Sequence, residues 1–337
     1  MHTQLDQRFS TPSLGDLDVV DSVRRCLAPK LEELRGRKII FSRDDKKLFP
    51  VDGWGLRTTQ HSACITTIRP IKENMVVAAV DSSSVKVAET EEGSLYAVKC
   101  GIATAYGGQA LMHFKIGPVL FYLGESTARG SDLDDRVAKA MLIDDDLAKR
   151  LIRVRAERAM QNELAGHLHN SIILVDGSLK ATVFEERERS VKKISETCSL
   201  RKNTIIGISK GTKLKALERA AAPLLKVPGP AYIEVDFLVK SLVRNAQGFS
   251  LMVRLANNSP ALRADIIGGA HAEFLGRMLY NDNVAGGYPE TLRLAHCIST
   301  FTNTEITCLR GHVLSNYGVT ELASEDIRRT LFGSISV

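Results

Sequence analysis

An unbroken apolar run that ends in an aspartate constrains the fold of this chain more than any other stretch. Residues 75–84 read MVVAAVDSSS, with six apolar residues before Asp81. A Val/Ala run of this length is typical of a strand buried on both faces. The pattern returns at residues 172–179 (IILVDGSL), where Asp176 follows the apolar run. We therefore predict two buried strands, each of which ends in a carboxylate.

The two aspartates also have an ordinary structural interpretation. Asp-Ser and Asp-Gly often end a strand in a turn, where the carboxylate caps backbone N–H groups. That interpretation is the better one for either aspartate alone, but the repetition behind two similar apolar runs favours a shared role. If the strands are neighbours, the carboxylates repel each other, and a divalent cation is the simplest group to hold them together. The pair predicts a metal-dependent phosphoryl-transfer site.

Composition limits the classes of protein to which this chain can belong. The 337 residues are 44% hydrophobic, which is enough for a large domain with an extension. Lys+Arg number 45 against 39 Asp+Glu, and this net charge of +6 permits a nucleic-acid partner without requiring one. The six cysteines form no CxxC pair, so a disulfide or zinc framework is not expected. Since the chain shows neither a signal sequence nor a long apolar span, we expect a cytoplasmic protein without membrane contact.

The first part of the chain is predicted to be a helical extension followed by a strand meander. Residues 1–70 are expected to form an N-terminal helical extension, which packs on the core or on a second subunit. After the strand that ends in Asp81, further strands are expected at residues 95–106 and 110–123. Gly107-Gly108 between them is a hairpin signal. Three antiparallel strands are therefore expected.

The order of the later elements indicates the fold class. A long helix is predicted at residues 133–168, interrupted near residues 144–146, and it precedes the strand that ends in Asp176. Strand meander, helix, strand, helix, strand is the order of an RNase H-like α/β fold, a mixed sheet flanked by helices. The remaining predicted elements are strands at residues 204–209, 231–239, 249–256 and 261–267, and helices near residues 214–221, 271–280, 291–301 and 324–332.

The long helix offers one candidate for a third carboxylate. Glu157 lies about 60° from Val154 around the helix, close to the middle of its apolar face. A glutamate on a buried stripe needs a cationic partner, which can be a metal ion or a neighbouring arginine such as Arg153 or Arg158. Spacing alone favours the arginine. The apolar stripe consists of Leu147, Leu151, Val154, Leu164 and Leu168.

A basic stretch follows the second aspartate. Residues 187–215 contain nine Lys/Arg against two Glu. A charge run is usually a solvated face, but here an apolar strand ends in Ser209-Lys210, which places Lys210 at a strand end much like the two aspartates. A basic rim beside an acidic metal pocket suits a phosphodiester backbone. Lys210, Lys213 and Arg254 are the predicted DNA-backbone contacts.

Residues 286–296 (GGYPETLRLAH) carry the last informative motif. Gly-Gly gives a flexible turn, Pro289 suits the first turn of a helix, and Leu292 and Ala295 give that helix an apolar side. On these residues alone, Tyr288 and His296 are more often packing residues than ligands.

With this motif included, the chain resembles the NurA nuclease family over roughly residues 70 to 310. The similarity is carried by VVAAVDSSS, IILVDGSL, IIGISKGTK, SLMVRLANNSPALRADI and, most specifically, GYPETLRLAH. It implies that residues 71–337 form a NurA-type nuclease domain with an RNase H-like fold.

The resemblance also implies a function. NurA proteins are manganese-dependent DNA nucleases with 5′–3′ exonuclease and single-strand endonuclease activity. They form homodimers and act with the hexameric ATPase HerA in DNA end resection and double-strand break repair. The expected substrates are therefore single- and double-stranded DNA, and the expected partner is a HerA-type ATPase. The expected cofactor is Mn²⁺ or Mg²⁺, as one or two ions.

Carried over by motif, the resemblance assigns the site residues. Asp81, Asp176 and His296 are expected to bind metal, and Tyr288 is expected to be a further catalytic residue. The family's glutamate comes from the helix before the second aspartate strand, which implies Glu157 as the fourth metal ligand. His296 has proton transfer as an alternative role, and Tyr288 is expected to position the phosphate or stack on a base.

Two other functions stay open for the sequence. One is a non-catalytic DNA-binding scaffold subunit of such a complex. The other is a kinase, because the chain is also similar to actin-like sugar kinases, in which two Asp-Gly turns hold the phosphates of ATP. Ser82 follows the first aspartate here, and a side chain at that position keeps the backbone farther from a phosphate than glycine does. The kinase is therefore less favoured.

Overall fold

The computed structural model describes residues 31–36, 38–39, 64–129, 135–180, 190–210, 215–243, 245–269 and 271–322. Most of the predicted N-terminal extension, the helix expected at residues 324–332 and Lys213 lie outside these residues. The boundary between an extension at 1–70 and a domain at 71–337 therefore stays a prediction.

The described strands form one large sheet and two short pairs. The strands are β1 Lys38–Ile39, β2 Thr66–Thr67, β3 Val77–Thr90, β4 Gly93–Tyr106, β5 Gln109–Gly124, β6 Ile172–Asp176, β7 Thr204–Ser209, β8 Ala231–Glu234, β9 Phe249–Arg254, β10 Leu262–Ile267, β11 Val284–Ala285, β12 Tyr288–Pro289 and β13 Thr320–Glu321. Nine of them form the large sheet in the order β2-β8-β9-β10-β7-β6-β3-β4-β5, while β1 pairs with β13 and β11 pairs with β12.

Five neighbouring strands of the large sheet reproduce the RNase H arrangement. Strands β3, β4 and β5 form an antiparallel meander, and β6 and β7 follow on the other side of β3, parallel to it. The β4–β5 hairpin turns at Gly107 and Gly108, whose φ angles of 57° and 79° are the positive values that a tight hairpin turn requires. The prediction of an RNase H-like mixed sheet flanked by helices is confirmed.

Helices cover both faces of the sheet. Ala78 and Val80 of β3 face the core beneath the helix Asp145–His167, whereas Val77 and Ala79 face the core beneath the helices His271–Asn281 and Glu290–Ser299, as the alternation of side chains along a strand dictates. None of the helices in the described parts of the chain is long and apolar enough to cross a lipid bilayer. The helices are α1 Glu125–Arg129, α2 Asp135–Ile143, α3 Asp145–His167, α4 Val191–Leu200, α5 Lys215–Ala221, α6 Asp236–Leu242, α7 His271–Asn281, α8 Glu290–Ser299 and α9 Asn303–Tyr317.

The long helix predicted before β6 is two helices. The carboxylate of Asp144 accepts hydrogen bonds from the backbone N–H groups of Asp146 and Leu147, so it caps the start of α3. The interruption expected near residues 144–146 therefore falls at Asp144, and α3 runs without a break past Glu157.

The short helix Leu31–Leu34 packs on the domain. Leu34 is completely buried in a cluster that also contains Leu95 of β4, Leu120 of β5 and Val313 of α9. Within the predicted extension, this segment is thus part of a core shared with the meander.

Two predicted strands end elsewhere, and two helices were not predicted. The strand expected to end at Asp81 continues to Thr90, because β3 stays paired with β4 along this length. The strand expected at residues 231–239 ends at Glu234, because the carboxylate of Asp236 accepts a hydrogen bond from Ser250 N and the chain turns into α6. Helix α4 was missed inside the basic stretch. Helix α9 was also missed, although Thr302 and Glu305 form a capping box, a signal visible in the sequence.

Candidate active site

Strand pairing brings Asp81 and Asp176 together. Strands β3 and β6 run parallel with Val80 opposite Val175, so the next residue of each strand is an aspartate. One ligand atom each from Asp81, Asp176 and His296 lie within 4.8 Å of one another. Asp81 is buried, Asp176 is half-buried and His296 is exposed. Three of the four predicted metal ligands thus converge where β6 ends beside β3, and the histidine among them is exposed to solvent.

Helix α8 supplies two hydrogen-bond partners of Asp81. Nδ1 of His296 lies 2.7 Å from Asp81 Oδ2, and the Ser299 hydroxyl donates to the same oxygen over 3.1 Å. Gly101 of β4 lies opposite Asp81, and a Cβ there would stand 2.3 Å from the Ala295 carbonyl oxygen. Glycine at this position therefore lets α8 approach the sheet closely enough for both side chains to reach the carboxylate.

The start of α8 is fixed by a buried carboxylate. Asp282 accepts hydrogen bonds from the backbone N–H and the hydroxyl of Thr291. Burial raises the pKa of Asp282 to about 6, although the bonds from Thr291 act in the opposite direction. Leu292 and Ala295 are completely buried on the inner side of the helix, and His296 stands at the margin of that side. The helix is therefore held from its first turn in the orientation that aims His296 at Asp81.

Both carboxylate oxygens of Asp176 have partners. The Tyr288 hydroxyl donates to Oδ1 over 3.0 Å, and Lys210 Nζ lies 2.9 Å from Oδ2. The same ammonium lies 4.8 Å from the centroid of the Tyr288 ring. Burial raises the pKa of Tyr288 above its ordinary value, and the charge of Asp176 raises it further. Tyr288 therefore keeps its proton and acts as a hydrogen-bond donor.

Glu157 reaches the same region from the opposite face of the sheet. Its Oε1 accepts a hydrogen bond from Gln161 Nε2 over 3.0 Å, and its Oε2 lies 3.4 Å from the Ser82 hydroxyl oxygen. Burial raises the pKa of Glu157 to about 7; Arg158 lowers it, whereas Asp81 and Asp176 raise it. Glu157 thus interacts electrostatically with both aspartates, although it is not a member of the three-residue group with converging ligand atoms.

The serines that follow Asp81 tie β3 to both helices. Ser82 and Ser84 donate to the carbonyl oxygens of Arg153 and Lys149 in α3, and Ser83 donates to the carbonyl oxygen of Ser299 in α8. Ser82 thus adds a link to the helix that carries Glu157. The strand and the two helices that carry the candidate ligands are held as one unit.

The three predicted DNA contacts differ in their positions relative to the site. Lys210 lies at the site, and Lys213 lies outside the described residues. Arg254 is buried on the face of the sheet covered by the 3-10 helix Ala222–Lys226, and its guanidinium donates to the carbonyl oxygens of Leu224, Leu225 and Val227. A guanidinium held by three carbonyls inside the protein does not contact a DNA backbone, so the expectation for Arg254 is corrected.

Two side chains next to the site were missed by the sequence reasoning. Ser299 bonds to Asp81, and Gln161, which is completely buried, bonds to Glu157. Both follow a predicted site residue by one helical turn, Ser299 three residues after His296 and Gln161 four residues after Glu157. This is the spacing at which side chains on one helix are neighbours, so the signal was present in the sequence.

Comparison with known proteins supplies a family. A sequence model of the NurA domain matches residues 75–298, which include every candidate ligand. No curated protein matches the chain significantly.

Solved structures of NurA and of endonuclease V are among those similar to the chain. A crystal structure of NurA is 12% identical over 74% of this chain and 90% of that chain, with a TM-score of 0.41. NurA bound to dAMP and manganese is 12% identical over 77% and 91%, also with a TM-score of 0.41. Endonuclease V from Ciona intestinalis, in complex with a DNA containing inosine, is 15% identical over 72% and 92%, with a TM-score of 0.38. Family membership rests on the sequence match: over residues 75–298, more than half of its length, this chain belongs to the NurA domain family.

Proposed function

We propose that this protein is a metal-dependent DNA nuclease that hydrolyses phosphodiester bonds. The observation that carries the proposal is the convergence of Asp81, Asp176 and His296, whose ligand atoms lie within 4.8 Å of one another in a NurA domain. Two carboxylates this close repel each other, and a divalent cation between them removes that repulsion.

The donor set fits Mn²⁺. Two carboxylate oxygens and one imidazole nitrogen form a ligand set that suits Mn²⁺, which accepts nitrogen more readily than Mg²⁺ does. The proposed metal ligands are Asp81, Asp176, His296 and Glu157, for one or two ions of Mn²⁺ or Mg²⁺. When bound, such an ion supplies Lewis-acid chemistry, since it lowers the pKa of water and neutralises charge on the phosphate.

The surrounding side chains have separate roles in this proposal. Ser299 and the Ser82 backbone N–H orient the Asp81 carboxylate, and the Tyr288 hydroxyl orients that of Asp176. Tyr288 stays protonated, so it positions groups by donating a hydrogen bond and does not act as a base. His296 is exposed next to Asp81, and proton transfer is its alternative role in this proposal.

The finer parts of the function follow from the family. We propose 5′–3′ exonuclease and single-strand endonuclease activity on DNA in end resection and double-strand break repair. The proposed setting is a cytoplasmic homodimer that works with a HerA-type ATPase. Lys210, whose side chain is about half exposed beside Asp176, is the proposed contact to the DNA backbone, with Lys213 beyond it in the chain.

The direct test is cleavage of end-labelled DNA by the purified wild-type protein. We expect single- and double-stranded substrates to be cut with Mn²⁺, more slowly with Mg²⁺, and not at all with excess chelator. Product lengths from substrates labelled at the 5′ or the 3′ end report the direction of degradation. DNA binding without cleavage under every metal condition would contradict the proposal and favour a scaffold subunit.

A further inference from the structure

Lys210 is the cation that neutralises Asp176 in this structure. Its Nζ lies 2.9 Å from Asp176 Oδ2, and the Tyr288 hydroxyl occupies Oδ1. Among the described residues, each carboxylate oxygen of Asp176 therefore already has a partner. A metal ion that takes Asp176 as a ligand must share or replace one of these partners.

The ammonium is the partner that can leave. The side chain of Lys210 is 49% exposed and stands on a flexible four-carbon stem, whereas Tyr288 is a rigid and largely buried ring. Lys210 Nζ also lies 4.8 Å from the centroid of the Tyr288 ring, a second favourable contact for a cation. Lys210 can therefore give up the carboxylate and remain beside the site.

Charge decides which cation stays on Asp176. The ligand atoms of Asp81, Asp176 and His296 surround one position within 4.8 Å, so a divalent ion there lies close to an ammonium on Oδ2. The two cations repel each other, and the ion interacts with two carboxylates where the ammonium interacts with one. A phosphate that approaches the ion then offers the displaced ammonium a new anionic partner.

We propose that Lys210 is an exchangeable cation that couples metal binding to DNA binding. Without metal it pairs with Asp176; metal releases it towards a DNA phosphate, and DNA in turn keeps it away from Asp176. This inference rests on the proposed function, because it requires a metal ion and a nucleic acid at the same site. By linkage, DNA must tighten metal binding by the same factor by which metal tightens DNA binding.

Lys210→Gln separates the two effects. Mn²⁺ affinity is measured by titration calorimetry or by electron paramagnetic resonance, with and without a short phosphorothioate single-stranded DNA that resists hydrolysis. In the wild type we expect DNA to tighten Mn²⁺ binding about tenfold. In Lys210→Gln we expect Mn²⁺ to bind the DNA-free protein several-fold more tightly than in the wild type, and added DNA to tighten Mn²⁺ binding several-fold less than it does in the wild type.

Two further variants distinguish exchange from general electrostatics. Lys180→Gln removes an exposed positive charge four residues after Asp176 and should leave the coupling as in the wild type. Lys210→Arg keeps a cation at the position and should retain most of the coupling. Equal coupling in the wild type and Lys210→Gln would overturn the exchange while leaving the nuclease proposal intact. A wild-type protein that binds no Mn²⁺ would overturn both.

Discussion

Replacing Asp81 or Asp176 with asparagine is expected to reduce Mn²⁺-dependent DNA cleavage more than about 10²-fold. Loss of a group that merely orients a metal ligand typically costs 10–100-fold in activity or metal affinity, and these substitutions remove a ligand itself. DNA binding should persist, because phosphate contacts depend on cations such as Lys210 and both substitutions remove negative charge from the site. Initial cleavage rates and equilibrium DNA binding, measured on the same preparations, check the expectation.

Asp145→Asn is the matched control for this comparison. Asp145 pairs with Lys86, which lies on β3 five residues beyond Asp81, and accepts a hydrogen bond from Tyr96, so its substitution also removes a paired carboxylate next to β3. Its cleavage rate should stay within about threefold of the wild type, since it leaves the candidate ligands untouched. A folded Asp81→Asn or Asp176→Asn protein that cleaves like this control would contradict the proposed metal site.

Glu157→Gln is expected to stabilise the metal-free protein at about pH 8 while abolishing cleavage. Burial raises the pKa of Glu157 from 4.5 to about 7, and Asp81 and Asp176 contribute to the rise. Below 4.5 the carboxyl is neutral in the folded and the unfolded chain. As the pH rises through about 7, the folded protein must ionise it against this cost, and stability is lost. Glutamine is neutral throughout and can still accept from Gln161.

The expected gain is up to about 3 kcal/mol at pH 8, or roughly 5 °C in Tm, and it should vanish towards pH 4.5. Thermal unfolding in chelator across this pH range measures it. Glu163→Gln, six residues along the same helix and partly buried, should show no such pH-dependent gain. If the Tm of Glu157→Gln equals that of the wild type at every pH, then burial and the two aspartates do not destabilise the ionised form of Glu157, which would contradict this account.

The RNase H-like core was largely predictable from local pattern. Buried strands appear as unbroken apolar runs, and the Gly107-Gly108 turn marks its hairpin. Asp176 does end its strand, whereas β3 continues past Asp81 to Thr90, because pairing with β4 extends it through residues that are not an apolar run. The ends of the outer strands were harder to predict from the sequence. The strand expected at residues 231–239 gives way to α6 because Asp236 bonds to Ser250, a contact between residues 14 apart that no local pattern contains.

Site residues that follow from the spacing along one helix could be predicted from the sequence. Features that depend on how two elements pack against each other could not. Ser299 and Gln161 stand one helical turn from predicted residues, so their positions follow from periodicity once the helices are known. The role of Gly101 does not, since the close approach of α8 to β4 becomes visible only when both elements are packed. Arg254 shows the opposite error: its charge suggested a DNA contact, but the carbonyl groups of Leu224, Leu225 and Val227 bind the buried guanidinium.

Diffraction from Mn²⁺-soaked crystals of the wild-type protein tests the central claim most directly. The claim is that Asp81 and Asp176 share one cation. We expect an anomalous peak at bonding distance, about 2 Å, from a carboxylate oxygen of each aspartate, with Lys210 Nζ displaced from Asp176. No Mn²⁺ peak between the two strands, or a peak bound by one aspartate while the other keeps its present partners, would contradict the account.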